Sequence, residues 1–158
     1  MKKTVLALVS SLFVLAACES SSTDSGAAGG AGGAGTGNGI LGQTADGQTI
    51  GDRVFFDYDS AVVANDAQSV LQGQATWLSQ NANVNVVIEG HCDERGTREY
   101  NIALGERRAA AVKSQLVSLG ISASRISTIS YGKERPAVLG ADESAYSQNR
   151  RGVTVIAN

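Results

Sequence analysis

One histidine, His91, and two cysteines, Cys18 and Cys92, are the only soft metal-ligating side chains in 158 residues. A catalytic zinc site would need further ligands of that kind from separated positions, so a zinc hydrolase is not expected. A nucleophile activated by imidazole is disfavoured on the same ground. No tract interleaves lysine and arginine with aromatics, and a nucleic-acid surface is therefore not expected. No internal repeat is visible. The N-terminal apolar run, Val5 to Leu15, is too short to cross a bilayer as a helix.

What the chain does have begins with a secretory pattern over residues 1–17. Lys2 and Lys3 form the charged region, Val5 to Leu15 the apolar region, and Ala16-Ala17 the small-residue cleavage site. Leu15-Ala16-Ala17-Cys18 resembles the lipobox of bacterial lipoproteins. That resemblance implies that Cys18 becomes the mature N-terminus, with diacylglycerol on its sulfur and an acyl chain on its amine. Each buried methylene contributes about 0.8 kcal/mol and stable anchoring takes two chains, so three would hold permanently. No other cofactor is expected. With Cys18 lipidated, Cys92 has no partner for a disulfide and reads as a small buried residue at a strand end.

Losing Lys2 and Lys3 takes thirteen basic residues to eleven against fifteen acidic ones, and 11 − 15 leaves −4. An acidic chain is not drawn to anionic wall polymers by bulk charge, so any wall binding needs a defined site. From Glu19 to Gly39 the composition is almost wholly Ser, Gly, Ala, Thr and Asn, which cannot bury enough apolar surface to fold. Residues 18–50 therefore read as a flexible tether, spanning roughly 30 Å on average and about 100 Å when taut.

The folded domain is expected over residues 51–158. Val54-Phe55-Phe56 reads as a strand and Asp57-Tyr58-Asp59-Ser60 as the turn after it. Asn65 is placed to cap a helix, with Gln68 three residues on. Ala67, Val70, Leu71, Trp77 and Leu78 give that helix one apolar face to about Gln80. Val84, Val86 and Ile88 alternate as a second strand leading into Gly90. Thr97 caps a second helix with Leu104, Val112, Leu116 and Leu119 on its stripe, and Gly120 sits where a left-handed C-cap belongs. Ile126 to Tyr131 is a third strand, Ala141 to Gln148 a short helix, and Val153 to Ala157 the last strand. The order βαβαβ(α)β predicts an α/β fold, a single sheet covered by two main helices.

Between the second strand and second helix runs Gly90-His91-Cys92-Asp93-Glu94-Arg95-Gly96, followed in the helix by Arg107-Arg108-Ala109. This layout can bring a loop carboxylate near a helix guanidinium, a pair suited to a ligand with both an ammonium and a carboxylate. An arginine fork matches a carboxylate in two places where a lysine could not. A plain loop-to-helix ion pair would use the same residues. His91, Cys92, Asp93 and Glu94 are adjacent but point alternately to opposite faces, so a metal site is not expected. Glu94, Arg95, Glu106 and Arg107 read as solvated charges or loop-to-helix pairs worth under about 1 kcal/mol each.

Gly90 to Gly96, Asn101, Leu104, Arg108-Ala109, Val112, Tyr131 to Pro136 and Asn149-Arg150-Arg151 recur in order. On these the sequence resembles the OmpA-like peptidoglycan-binding domain, in the form found among peptidoglycan-associated lipoproteins, from about Gly51 to Asn158. The resemblance implies that Asp93 holds the ammonium of diaminopimelate in the peptidoglycan stem peptide and Arg108 its carboxylate. It implies that Asn101 shapes the site and that Arg151 lies near it, with Asn149 in support. Cys92 stands where threonine or alanine is commoner, and Gly105 where many relatives have serine. The family further implies a non-catalytic role: a lipid in the outer membrane, the domain in the periplasm gripping peptidoglycan, and work within the Tol-Pal system in envelope integrity and cell division. TolB and other Tol proteins would be partners. Glu19, rather than the aspartate associated with inner-membrane retention, fits outer-membrane sorting.

Overall fold

The structure, a computed structural model, describes residues 39–157. The signal sequence over 1–17, the lipidation site at Cys18 and the linker up to residue 38 lie outside those residues. Order begins earlier than the composition suggested. Ile40–Gln43 (β1) and Thr49–Gly51 (β2) form an antiparallel hairpin inside the stretch assigned to the tether. Its turn is closed by Thr44 and by Gly47 at φ +83°, a conformation glycine adopts without strain. Leu41 and Ile50 are the buried residues of the hairpin. Residues 40–50 therefore belong with the fold, not with the linker.

Arg53–Phe55 (β3) follows, then the helix Asn65–Gln80 (α1). Asn65 is the first residue of α1 rather than its cap. Ala64 occupies the cap position with no side-chain bond, and Asn65 Oδ1 only accepts from Gln68 Nε2 at 3.4 Å. Ala67, Leu71, Ala75 and Leu78 form the buried face, with Val70 and Trp77 at its margin. Trp77 lies on the hairpin at Gly42, where a Cβ would stand 2.4 Å from the indole. Gln74 is fully buried on this face, yet satisfied. It donates to Gly51 O at 2.8 Å and accepts from Thr154 Oγ1 at 2.7 Å, tying the hairpin to the sheet.

Val86–His91 (β4), Arg98–Ser118 (α2), Ile126–Gly132 (β5), Glu143–Asn149 (α3) and Arg151–Ile156 (β6) complete the described chain. The four-stranded sheet has the order β3-β6-β4-β5, with β4 and β5 parallel and β6 antiparallel to both β3 and β4. Strand alternation sends Val86 and Ile88 into the core with Val54, Leu71, Leu78, Val112, Leu116 and Ile126. The expected α/β architecture is thus present, with the hairpin added.

Both ends of α2 follow local sequence. Thr97 Oγ1 accepts from the Tyr100 backbone N–H at 3.2 Å. At the other end Gly120 (φ +98°) donates to Val117 O, and Ile121 donates to Leu116 O. That is the Schellman pattern, sealed by Ile121 and Leu116, both buried in the core. Close approach between β4 and the middle of α2 explains Gly90 and Gly105. A Cβ on Gly90 of β4 would lie 1.8 Å from Gly105 O, and one on Gly105 would lie 2.3 Å from Ser130 Oγ. The strand end and the helix touch backbone to backbone, and this brings the loop after β4 against α2.

Candidate functional site

A pocket of about 390 Å³ opens between the turn after β3, the loop after β4 and the first half of α2. Asp93, Asn101 and Arg108, three of the four residues singled out in the sequence, line it together. Leu104 and Cys92 contribute apolar wall, while Tyr58, Asp59, Arg95 and Tyr100 form the rest of the polar lining.

Arg108 is fully buried on α2. Its Nε donates to Ser60 O at 2.8 Å, Nη1 to His91 O at 2.8 Å and Nη2 to Asp57 O at 3.0 Å. Three carbonyls from two separate segments thus converge on one guanidinium, which fixes the walls of the pocket relative to each other. Burial lowers its pKa from the usual arginine range, partly offset by Cys92 and Asp93. No carboxylate pairs with it among the described residues.

Asp93 is also buried. Burial pushes its carboxyl up, but hydrogen bonds from the Arg95 side chain and backbone, with the charges of Arg95 and Arg150, outweigh this and hold it below the usual range. Arg95 was expected to be a solvated charge or one half of a weak loop-to-helix pair. It instead pairs with Asp93 at 2.6 Å and lies against the rings of Tyr58 and Tyr146. Glu94 is likewise engaged, accepting from Tyr146 Oη at 2.9 Å.

Asn101 shapes the loop directly. Its amide donates to Arg95 O at 2.7 Å and Thr97 O at 3.0 Å, within reach of Gly96 at φ +88°. Lys133 braces the same loop from after β5, donating to Glu94 O and Gly96 O. Cys92 Sγ bonds Asn101 O at 3.3 Å, and burial raises its thiol pKa, the opposite of an activated nucleophile.

Arg151 does not join the pocket. Gly152 packs toward Val112 of α2, so its neighbour Arg151 points to the opposite face of the sheet. There it donates to Asn149 O and Arg135 O, and burial with Arg53 nearby pushes its pKa down to about 10. Its predecessor Arg150 is the one that reaches Asp93, at 3.5 Å. Asn149 braces the loop at Ala137 and Val138 rather than the pocket. His91 is buried in β4, with Nε2 at 3.3 Å from Glu89 and its ring 5.5 Å from that of Tyr131. Among the described residues no group of three His, Cys, Asp or Glu side chains is placed to hold a metal.

Asp59 is the residue that sequence reasoning missed. It sits in the turn after β3 at φ +54°, exposed, and accepts a hydrogen bond from Tyr100 of α2. Its only local signal was the turn composition Asp57-Tyr58-Asp59-Ser60, which says nothing about which helix it will face. With Asp59 included, the pocket brings two carboxylates beside a guanidinium that is bonded to carbonyls and to no carboxylate.

Among known proteins, residues 55–150 match the OmpA family. The chain is 51% identical over 153 residues to the peptidoglycan-associated lipoprotein of Mesorhizobium japonicum, covering 96% of this chain and 90% of that protein. It resembles the crystal structure of the peptidoglycan-associated lipoprotein from Burkholderia pseudomallei with a TM-score of 0.66 and 42% identity, over 67% of this chain and 90% of that one. The C-terminal domain of Helicobacter pylori MotB matches with a TM-score of 0.63 at 19% identity, over 68% of this chain and 84% of that one, a likeness of fold alone.

Proposed function

The chain belongs to the OmpA family, which is not a family of enzymes, and from that premise we propose that it is a lipid-anchored tether whose pocket grips peptidoglycan non-covalently. Relatives at half identity carry the name peptidoglycan-associated lipoprotein, which supports envelope anchoring and wall association. No helix among the described residues is long and apolar enough to cross a membrane. The lipobox supplies the anchor in this reading, with diacylglycerol and an acyl chain on Cys18 and the outer membrane as destination. The domain then works in the periplasm within the Tol-Pal system, with TolB as partner, in envelope integrity and cell division.

The ligand in this reading is the free zwitterionic end of diaminopimelate. Its ammonium goes to the carboxylates of Asp93 and Asp59, its carboxylate to the guanidinium of Arg108, and Asn101 holds the loop in shape. The observation that carries the reading is the convergence on a single pocket of two acids and one buried arginine that no carboxylate neutralises. Charge-assisted hydrogen bonds of this kind are roughly twice as strong as neutral ones. Arg151, on the other sheet face, is left out of the ligand set.

Sedimentation with purified sacculi tests it. Asp59→Asn and Asp93→Asn preserve shape and remove one charge each, and both should lower retention by about tenfold. Thermal unfolding run alongside would identify loss of fold. If both variants sedimented like the wild type, the charge-matched pocket would not be the wall-binding site.

A further inference from the structure

The position that a ligand cation would take on Asp93 is already filled by a cation of the protein. Arg95 Nε donates to Asp93 Oδ1 at 3.2 Å and Nη2 to Oδ2 at 2.6 Å, and the Arg95 backbone N–H adds a third bond at 3.1 Å. The guanidinium rests 4.1 Å from the Tyr58 ring centre and 4.3 Å from that of Tyr146. Its side chain is 33% exposed, so it can leave, and a second carboxylate, Glu143, waits 3.7 Å away.

We infer that Arg95 is a specificity-determining residue: an internal competitor for Asp93 that a zwitterion displaces and a bare amine does not. The inference rests on the reading of the pocket as a diaminopimelate site and adds to it. A planar fork on a carboxylate is a stronger pair than a single ammonium, so replacing Arg95 by an amine alone is unfavourable. The displaced guanidinium must also settle for Glu143, whose other oxygen is already held by Arg150 at 2.6 Å. A ligand that brings a carboxylate with its ammonium changes the balance. That carboxylate meets the positive charge of Arg108, and the freed Arg95 offers a second cation on the same side of the pocket. A lysine side chain in the same position bears the displacement with nothing to offset it. Specificity then comes from a group that opposes binding as much as from groups that favour it. If the Arg95–Asp93 pair is closed about nine-tenths of the time, apparent affinity for a bare amine falls about tenfold, a loss that a zwitterion recovers through the freed Arg95.

The test is calorimetric titration of the wild type, Arg95→Gln and Tyr146→Leu with two synthetic peptides, L-Ala-γ-D-Glu-meso-diaminopimelate and L-Ala-γ-D-Glu-L-lysine. At the third residue the first carries a carboxylate that the second lacks. The wild type should prefer the diaminopimelate peptide by about tenfold or more. In Arg95→Gln the lysine peptide should bind at least about fivefold tighter and the preference should shrink accordingly. Tyr146→Leu keeps Arg95 but removes one ring it rests on, and should shift the ratio the same way by less. In the wild type the NMR signal of the Arg95 Nε–H should move when the diaminopimelate peptide is added. An Arg95→Gln protein that weakens both peptides, or tightens both equally, would overturn the inference. If that variant does not fold, the ratio in Tyr146→Leu decides, and an unchanged ratio is the refuting result. No binding of the diaminopimelate peptide to the wild type would instead sink the reading of the pocket itself.

Discussion

Replacing Arg108 by methionine asks whether this residue is chiefly a ligand charge or a strut of the fold. The methionine keeps most of the stem volume and leaves three carbonyls, those of Asp57, Ser60 and His91, without their donor. A hydrogen bond to a charged group contributes about 1.5–3 kcal/mol net. Asp57 and Ser60 lie in a turn open to water, which can replace the donor there at little loss. His91 is buried, and its orphaned carbonyl costs about 1–3 kcal/mol. Removing a buried guanidinium returns some desolvation, while the two segments it joined lose their common anchor. We expect a net loss of about 2–4 kcal/mol, which for a domain of this size lowers Tm on the order of 10 °C. Urea unfolding followed by the fluorescence of Trp77, the only tryptophan, measures it. Arg108→Lys should recover less than half, because one ammonium on a flexible stem cannot serve carbonyls in two segments. If Arg108→Met unfolded within about 0.5 kcal/mol of wild type, the view of Arg108 as a strut would be wrong. The outcome also governs how binding data on Arg108 variants are read, since a strut and a ligand contact are lost together.

Ile50→Ala should destabilise by about 2 kcal/mol, the lower end for a buried aliphatic truncation, because the hairpin packs on α1 outside the main core. The same urea titration checks it, and no effect would return residues 40–50 to the linker. His91 gives a pH signature. Burial depresses its pKa below the usual 6.5 despite Glu89 beside it. The unfolded chain therefore takes up a proton first, so stability is full above about pH 6.5 and falls as pH drops toward the folded value. In His91→Gln the slope below pH 6.5 should vanish, leaving the loss below the usual carboxylate range from Asp93, since the depression of Glu89 comes first from its bond to His91. An unchanged slope in denaturant midpoints between pH 6.5 and 4.5 would refute the assignment.

Helix boundaries were legible because their signals are local. Thr97 and Gly120 satisfy backbone groups within a few residues, and the 3.6-residue spacing of Leu104, Val112 and Leu116 needs no knowledge of partners. Asn65 was misjudged by one position, since a cap depends on the backbone angle of the residue before the first turn. The hairpin was hidden by its glycines and polar residues. Asp46-Gly47 between Leu41 and Ile50 is a turn signal, but so short a pair of strands is stable only once Ile50 and Leu41 find α1.

By itself the sequence determined the α/β class, the family, and the joint placement of Asp93, Asn101 and Arg108, because a tight loop joins a strand to the helix that follows it. Only the tertiary structure decided the rest of the pocket. Asp59 comes from a turn far back in the chain, and nothing local tells which helix that turn will meet. Arg151 was assigned to the pocket and Arg150 was not. The register of β6 sends Arg151 to the sheet face away from α2, while Arg150, at the end of α3, is the one that comes within 3.5 Å of Asp93. Arg95 changed most, from an exposed charge to the partner of Asp93. Its position is fixed by Tyr58 and Tyr146, residues that approach each other only when β3 and α3 have packed against the same loop.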